Sequence, residues 1–391
     1  MRAMLLAFAL LAGCDREPDP VVSRAAVAGR EITMPFAKTF RVVERDGYRV
    51  VDLKASVVSW GGGAVGEEQF RRLVLVPRGS EVPPLTGDLA GATPIRTPVM
   101  RIASNTVFHE AITKALDIND RLVAVGGVKS WDDALRARVR SGAVRQIGYG
   151  WHSPPDLDAL VAAKPDVLLM SMEDLKSVGA MPRIAALGIP VVPVFAENEP
   201  DYMGRVDYVR LIGMLTGRES QADAFAAMVA RKVDALKKLA SAQPTRSIMS
   251  AWFAGGDRWN PTTRNADAKL LRDANGRNPF EEPDDPRRDS FNQISTEQLI
   301  AKGTDADCWI LRDTHSLPFR DVATLRRFRA YREGCLFAAD GMYKPAADAF
   351  DYYETGFIRP DLVLGDIIRM LHPPLRNEPF RYVRPDTKVP R

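Results

Sequence analysis

Short apolar segments alternate with amphipathic segments along most of the chain from residue 99 onward. Leu122–Val125 and Val167–Met170 are runs typical of buried strands, and the segments between such runs carry apolar residues at helical spacing. Strands that alternate with helices indicate parallel sheets covered by helices. Because the alternation occurs twice, it predicts an α/β protein with two lobes, residues 99–202 and residues 243–391.

A long helical pattern separates the two alternating regions and spans residues 203–242. Within it, apolar residues recur every three to four positions from Ala222 to Leu239. A connection of this kind predicts one long interlobe helix rather than a loose linker. It also predicts a ligand cleft between the lobes, because domain interfaces commonly hold binding sites.

Residues 38–98, which precede the first lobe, have a different pattern. Two strand-like runs flank Asp46-Gly47, a strong hairpin signal, and Arg71–Pro77 is a third candidate strand. We therefore expect a β-rich N-terminal extension.

The chain begins with a short basic start, one apolar run and small residues just before Cys14, which is the layout of a signal peptide. The run is well short of the ~20 residues needed to cross a bilayer. Leu11–Cys14 resembles the bacterial lipobox, which implies cleavage before Cys14 and lipidation of its sulfur. Asp15 resembles the signal for retention at the inner membrane. We expect residues 1–14 to be this signal, with the lipidated Cys14, and residues 15–37 to be a tether. The protein should then lie at the periplasmic face of that membrane. Ordinary cleavage or a misread start of the chain is the alternative.

Charge and cysteine content narrow the classes of function. The formal net charge is only +4 over 391 residues and the arginines are dispersed, so a nucleic-acid partner is not expected. Cys308 and Cys335 form an even pair in an oxidising compartment, and both lie in apolar strand-like runs. Two buried thiols are the simpler interpretation, and a disulfide stays open.

Signatures of catalysis or of a protein-built metal site are missing from the sequence. It contains no GxSxG motif, and its four histidines lack the HExxH spacing of zinc enzymes. No CxxC motif is present either. The sequence therefore favours a binding protein without catalytic activity, metal or resident cofactor, with an enzyme or an empty lipoprotein scaffold as alternatives.

Four segments together resemble the helical-backbone (class III) periplasmic substrate-binding proteins of ABC importers. In chain order they are Leu157–Leu169, Leu187–Val192, Leu211–Glu219 and Ile294–Ile300. The resemblance covers roughly residues 97–375 and rests on the order and spacing of the segments. It implies a monomer that captures a ferric siderophore or similar metal chelate in the interlobe cleft and delivers it to the permease of the importer. Cobalamin or haem is the second choice of ligand.

Aromatic, basic and histidine side chains recur in loops at predicted strand ends. Such side chains suit a planar or catecholate-bearing anionic complex through stacking, cation–π contact and charge pairing. The alternative for each aromatic residue is a structural role at the edge of the core. The preferred anchors are Lys129, Trp151 and Arg258. The full candidate set is Lys129, Trp131, Tyr149, Trp151 and His152 in the first lobe, with Trp252, Arg258, Trp259, His315 and Tyr352 in the second.

Docking to a permease is the other property that the resemblance implies. In the resembled family, one exposed carboxylate on each lobe pairs with arginines of the permease, and the matching positions here are Asp158 and Glu297. The family pattern has Glu at the first position, so Asp158 is one methylene shorter. Both carboxylates fall early in predicted helices, where stabilisation of the helix dipole is the structural alternative.

Overall fold

The N-terminal extension folds as a five-stranded sheet in the computed structural model, which describes residues 22–58, 65–151, 154–172, 175–312 and 322–386. The first four strands are antiparallel neighbours and the fifth runs parallel to the fourth. The predicted hairpin turns at Asp46-Gly47, where Gly47 has a φ of 81° that favours glycine. The strands are β1 Arg30–Ile32, β2 Phe40–Arg45, β3 Tyr48–Val58, β4 Val65–Pro77 and β5 Thr93–Thr97.

Both faces of this sheet are covered. Val51, Leu53 and Leu73 alternate onto one face and join the core of the first lobe, while Val50 and Val74 join a smaller cluster on the other face. This alternation follows from the two-residue period of a strand. The extension is therefore an additional layer of the first lobe rather than a separate domain.

The first lobe is built around a five-stranded parallel sheet in the order β10-β9-β6-β7-β8. Asp132 and Asp156 begin two of its helices, where each side chain accepts a backbone N–H of the first turn. The strands are β6 Ile102–Ser104, β7 Leu122–Val125, β8 Arg145–Gln146, β9 Val167–Ser171 and β10 Val191–Val194. The helices are α1 Val107–Ala115, α2 Asp133–Arg140, α3 Leu157–Ala163 and α4 Leu175–Ala185.

The segment predicted as one interlobe helix over residues 203–242 consists of two helices, α5 Tyr202–Thr216 and α6 Glu219–Ser241. Gly217 adopts a φ of 70° and caps α5, which is why the helix cannot continue. The 23-residue α6 begins in the core of the first lobe and continues into the core of the second. It spans about 34 Å at 1.5 Å per residue and is the long connection between the lobes.

The second lobe contains a seven-stranded sheet in which β11, β13, β15 and β16 are parallel and β12, β14 and β19 are antiparallel to their neighbours. The strands are β11 Arg246–Gly255, β12 Arg258–Pro261, β13 Gly276–Arg277, β14 Ile294–Ser295, β15 Cys308–Leu311, β16 Leu336–Ala338, β17 Tyr343–Lys344, β18 Ala349–Phe350 and β19 Arg384–Pro385. The helices are α7 Asn265–Asp273, α8 Thr296–Gly303, α9 Val322–Leu325, α10 Arg329–Arg332, α11 Thr355–Ile358 and α12 Pro360–Leu371.

Cys308 and Cys335 are joined by a disulfide, with Cα atoms 4.8 Å apart. Cys308 opens β15 and Cys335 directly precedes the neighbouring parallel strand β16, so strand pairing brings the two side chains together. The simpler expectation of two buried thiols is therefore wrong. The fold class predicted from the sequence, two α/β lobes with an N-terminal β-rich extension, is confirmed. Within the described ranges, every helix is too short or too polar to cross a bilayer.

Candidate functional site

A cavity of about 540 Å³ lies between the two lobes. In the first lobe, the lining residues occupy the start of α1 and the loops that follow β7, β8 and β10. They are Thr106, Val107, Phe108, Lys129, Trp151 and the pair Glu197-Asn198. The cavity therefore meets the first sheet at the carboxyl ends of its strands, the edge where parallel α/β sheets bind ligands.

The second lobe contributes side chains from β11, α7, the residue after β15, the loop before β14 and residues 348–357, a segment that includes β18 and the start of α11. Trp252, Asp267 and Arg312 belong to the first three of these, and Ser290 and Phe291 to the loop. The remaining segment supplies Asp348, Phe350, Tyr353, Glu354 and Phe357. Aromatic side chains from both lobes thus face one cavity.

Trp151 lies on a rigid support in the first lobe. Its ring stacks on Tyr149 with centroids 4.3 Å apart and planes 13° apart, and Tyr149 is only 6% exposed. The Tyr149 hydroxyl accepts the backbone N–H of Lys129 at 2.8 Å. A Cβ atom at Gly126 would lie 2.1 Å from the Tyr149 ring, so only glycine leaves room for this packing. Tyr149 therefore positions Trp151 from behind the cavity wall.

Arg312 forms the corresponding support in the second lobe. Its guanidinium lies 5.4 Å from the Trp252 ring, 4.8 Å from the Phe291 ring and 5.8 Å from the Tyr352 ring, and Trp252 contacts Phe291 edge to face. These distances are typical of cation–π packing. Arg312 thus holds two lining aromatics in place and also reaches the cavity itself.

A buried ion network continues from Arg312. Its Nη1 lies 3.2 Å from Asp267 Oδ2, and Asp267 Oδ1 lies 3.2 Å from Nη1 of Arg205 on α5. Burial alone would raise the pKa of Asp267, but the two guanidinium groups lower it, so the carboxylate stays ionised. Sequence reasoning missed Arg312 and Asp267. The available signal for Arg312 was its position directly after the apolar run Cys308–Leu311.

One segment of the second lobe, residues 343–354, reaches across to the loop after β7, and we name it the clasp. Lys344 Nζ lies 2.8 Å from Asp133 Oδ2 and 4.4 Å from the Trp131 ring centroid. Asp348 Oδ2 lies 2.7 Å from Lys129 Nζ. The clasp therefore closes one side of the cavity and joins the lobes through charged contacts.

A buried carboxyl group completes the clasp. Glu354 accepts the backbone N–H of Trp131, and the hydroxyl of Ser130 lies 3.4 Å from its other oxygen. Burial raises the pKa of Glu354 well above its usual range, and neighbouring Glu110 adds to this. Burial likewise raises the pKa of Glu110 to about 8. Two carboxyl groups therefore approach each other at the lobe boundary in a site that favours their neutral forms.

Three of the candidate ligand residues, Lys129, Trp151 and Trp252, line the cavity. Three other candidates do not line the cavity and pack against neighbouring side chains instead. Trp131 contacts Lys344, Tyr149 stacks on Trp151, and Tyr352 contacts Arg312. The candidates His152 and His315, like Cys14, fall outside the described residues. Candidate residues from both lobes therefore line the same cavity.

Arg258 and Trp259 require correction. Both were expected in a loop, but they belong to β12, which pairs antiparallel with β11. Trp259 is completely buried, and its Nε1–H donates to Thr296 Oγ1 at 3.0 Å. Arg258 is exposed, bonds to Gln293, and does not line the cavity. Trp259 therefore has the structural role in the core that was its alternative.

The two predicted docking carboxylates lie on the surface of different lobes. Asp158 is exposed in the first turn of α3, and Glu297 is exposed in the first turn of α8. Each helix already has its own N-cap, Asp156 and Ser295 respectively. No side chain in the described ranges forms an ion pair or hydrogen bond with either carboxylate. The helix ends are therefore capped without them.

This two-lobed fold, with an aromatic cavity where the lobes meet, defines a ligand-binding protein. Residues 102–337 match the family model described as periplasmic binding protein, and the chain belongs to this family. Across the described part of the chain, no group of three or more His, Cys, Asp or Glu side chains could hold a metal ion.

Known proteins extend the comparison. An uncharacterized lipoprotein of Methanocaldococcus jannaschii is 20% identical over 396 residues, covering 94% of this chain and 91% of its own. A periplasmic heme-binding protein of Pseudomonas aeruginosa has a similar structure, with a TM-score of 0.55, 18% identity and coverage of 73% of this chain and 97% of its own. The Fe³⁺-Desferal-bound siderophore-binding protein FhuD of Vibrio cholerae has a TM-score of 0.52, 17% identity and coverage of 72% and 99%.

Proposed function

We propose that this protein is the substrate-binding component of an ABC importer, which captures a ferric siderophore or similar metal chelate between its lobes and delivers it to the permease. The observation that carries the proposal is the aromatic cavity at the carboxyl ends of the first sheet, bounded on its other side by the second lobe. Its volume lies within the range of about 300–1000 Å³ that is common for small-molecule sites.

The geometry of the cavity suits a bulky, rigid ligand. Trp151 and Trp252 approach it from opposite lobes, and each ring is held by packing behind it, through Tyr149 and Arg312. Preorganised aromatic surfaces bind flat or apolar ligand faces with little loss of side-chain freedom. The structurally similar proteins bind heme and a ferric siderophore, which supports this class of ligand. Haem or cobalamin binding by the same mechanism is the second candidate, and a scaffold without transported ligand is the third.

Titration of the purified protein with ferric siderophores, haem and cobalamin, followed by tryptophan fluorescence, tests the proposal. We expect quenching by at least one metal chelate, and at least tenfold weaker binding in Trp151→Leu, because the lost stacking contributes about 0.5–1.5 kcal/mol beyond the area it buries. Arg258→Ala is the matched control and should bind normally, since Arg258 lies outside the cavity wall. If no chelate changes the tryptophan fluorescence while a sugar or amino acid does, the proposal fails.

The proposed location is the periplasmic face of the inner membrane, with a lipid on Cys14 as the anchor. Support comes from the lipobox-like sequence Leu11–Cys14 and from the M. jannaschii relative, which is itself named a lipoprotein. Cys14→Ala should move the protein from the membrane fraction to the soluble fraction, because stable attachment needs acyl chains, each CH₂ contributing ~0.8 kcal/mol. Immunoblots of fractionated cells measure this. An unchanged membrane fraction would contradict the lipid anchor.

A further inference from the structure

Two cations of the cavity wall, Lys129 and Arg312, are already paired with carboxylates of the same wall, while the third, Arg288, is exposed to solvent. Among the described residues, the lining includes three cationic side chains, Lys129, Arg288 and Arg312, and five carboxyl groups. An anionic complex, the ligand expected from the sequence, would need unpaired cations. The wall offers instead at least as many carboxylates as cations.

The pairing of the two cations nearest the aromatic wall is direct. Lys129 Nζ lies 2.7 Å from Asp348, and Arg312 Nη1 lies 3.2 Å from Asp267. Arg312 is only 7% exposed, and its partner Asp267 is shared with Arg205. Recruiting either cation to a ligand anion would leave a carboxylate behind without its partner. An unpaired charge in a desolvated site is costly, so recruitment of the buried Arg312 is unfavourable. The cost is smaller for Lys129, because the side chains of Lys129 and Asp348 are 35% and 52% exposed.

The remaining wall is largely aromatic, with Phe108, Trp151, Trp252, Phe291, Phe350 and Phe357 facing the cavity. Aromatic faces carry the negative part of the ring quadrupole and therefore attract neutral or cationic surfaces rather than anionic ones. The paired charges and the aromatic faces thus favour the same kind of ligand.

We infer that this cavity selects metal chelates that carry no net negative charge, such as neutral or singly cationic ferric trihydroxamates, over polyanionic chelates such as ferric triscatecholates. The inference rests on the proposed function and specifies its ligand class. Its physical basis is the absence of an unpaired buried cation among the described lining residues.

The test compares gallium(III) complexes of a neutral trihydroxamate, a singly cationic trihydroxamate and a triply anionic triscatecholate, by calorimetric titration of the full mature chain. We expect either trihydroxamate to bind at least tenfold more tightly than the triscatecholate. Tighter binding of the triscatecholate would overturn the inference and leave the proposed function intact. If neither these complexes nor haem nor cobalamin binds, the proposed function fails and the inference fails with it.

Asp348→Asn gives an independent test within the protein. Asparagine suits this position because Asp348 has a φ of 48°. The substitution frees Lys129 from its carboxylate, so affinity for the triscatecholate should rise about tenfold. A tenfold change in affinity corresponds to about 1.4 kcal/mol, which is at the low end of the coupling energies of close charge pairs. Affinity for the neutral trihydroxamate should not change.

The matched control is Asp133→Asn, which removes the carboxylate paired with Lys344 in the same clasp but outside the cavity wall. It should change neither affinity. If both variants alter binding of the neutral complex equally, the carboxylates only hold the clasp together and the electrostatic inference is wrong. Unchanged triscatecholate affinity in Asp348→Asn would also overturn it. Circular dichroism confirms folding of each variant.

Discussion

Reversing the charge of both docking carboxylates, with Asp158→Lys and Glu297→Lys in one chain, should abolish uptake of the chelate through the cognate permease. Ligand binding and folding should stay close to normal. Both carboxylates are exposed, lie on different lobes and are outside the cavity wall. Removal of one partner from a buried interfacial charge pair costs about 2–5 kcal/mol, and two reversals would therefore reduce docking by far more than a hundredfold.

Uptake of a radiolabelled chelate by cells that express the permease measures the effect, with calorimetry for ligand binding in the purified protein. The matched control reverses one exposed carboxylate on each lobe at the opposite edge of the sheets, Asp120→Lys with Asp305→Lys. These residues precede β7 and β15, whereas Asp158 and Glu297 lie in the first turns of α3 and α8. Control uptake should match the wild type. Normal delivery of the chelate by the Asp158→Lys/Glu297→Lys variant would contradict the two-carboxylate docking model.

A neutral double variant separates docking from the structural alternative. A carboxylate in the first turn of an exposed helix favours the helix dipole by ~0.3–1 kcal/mol. Because Asp156 and Ser295 already cap these helices, the neutral double variant Asp158→Asn with Glu297→Gln should fold normally. If that neutral variant lost most of its stability, the two carboxylates would be structural.

The hydrophobic pattern predicted the lobes because it depends only on neighbours along the chain. Leu122–Val125 and Val167–Met170 are strand-like by composition and form the buried strands β7 and β9. The break in the interlobe segment was not predicted, although Thr216-Gly217 interrupts the apolar spacing at the position where Gly217 takes the left-handed conformation. Local sequence therefore determines most of the element order.

Residues of the site were harder to predict because their roles depend on partners that are distant in sequence. Trp151 and Trp259 both follow strand-like runs, yet Trp151 lines the cavity and Trp259 lies in the core. The difference comes from the hairpin between β11 and β12, whose Gly255-Gly256 turn was a signal that sequence reasoning passed over. Asp267 is a site residue only because Arg205 and Arg312 both pair with it. The spacing of apolar residues along the sequence carries no information about such pairing between distant residues.

Replacement of Glu110 by Gln should stabilise the protein in alkaline solution and change the pH dependence of its unfolding. Glu110 is 2% exposed, in α1 beside the lobe boundary. Burial raises its pKa to about 8, the charge of Asp132 adds to this, and the Ser130 hydroxyl opposes it. Tyr149 and Glu354 also interact electrostatically with Glu110. Burial and the charge of Glu110 raise the pKa values of both residues. The carboxyl group is therefore held in its neutral form near pH 7.

The sign of the effect follows from proton linkage. Below about pH 4.5 the folded and unfolded chains both hold this proton, so the stabilisation of the neutral form is fully present. Between about pH 4.5 and 8 only the folded chain holds it, and the free energy of unfolding falls by about 1.4 kcal/mol per pH unit. Above pH 8 the stabilisation from the neutral carboxyl group of Glu110 is completely lost. Because Gln cannot ionise, Glu110→Gln should resemble the wild type at pH 5 and exceed its stability by several kcal/mol at pH 8.5.

Urea unfolding followed by circular dichroism at pH 5, 7 and 8.5 measures this difference. Glu67→Gln is the matched control, because Glu67 is exposed and its substitution should leave the pH profile of unfolding unchanged. Glu354→Gln should reduce the pH dependence in the same direction, since burial and the nearby Glu110 raise the pKa of Glu354 as well. A pH profile of Glu110→Gln that runs parallel to the wild type would mean that Glu110 is already ionised in the folded protein. The lobe boundary would then hold a carboxylate rather than the neutral acid on which this prediction depends.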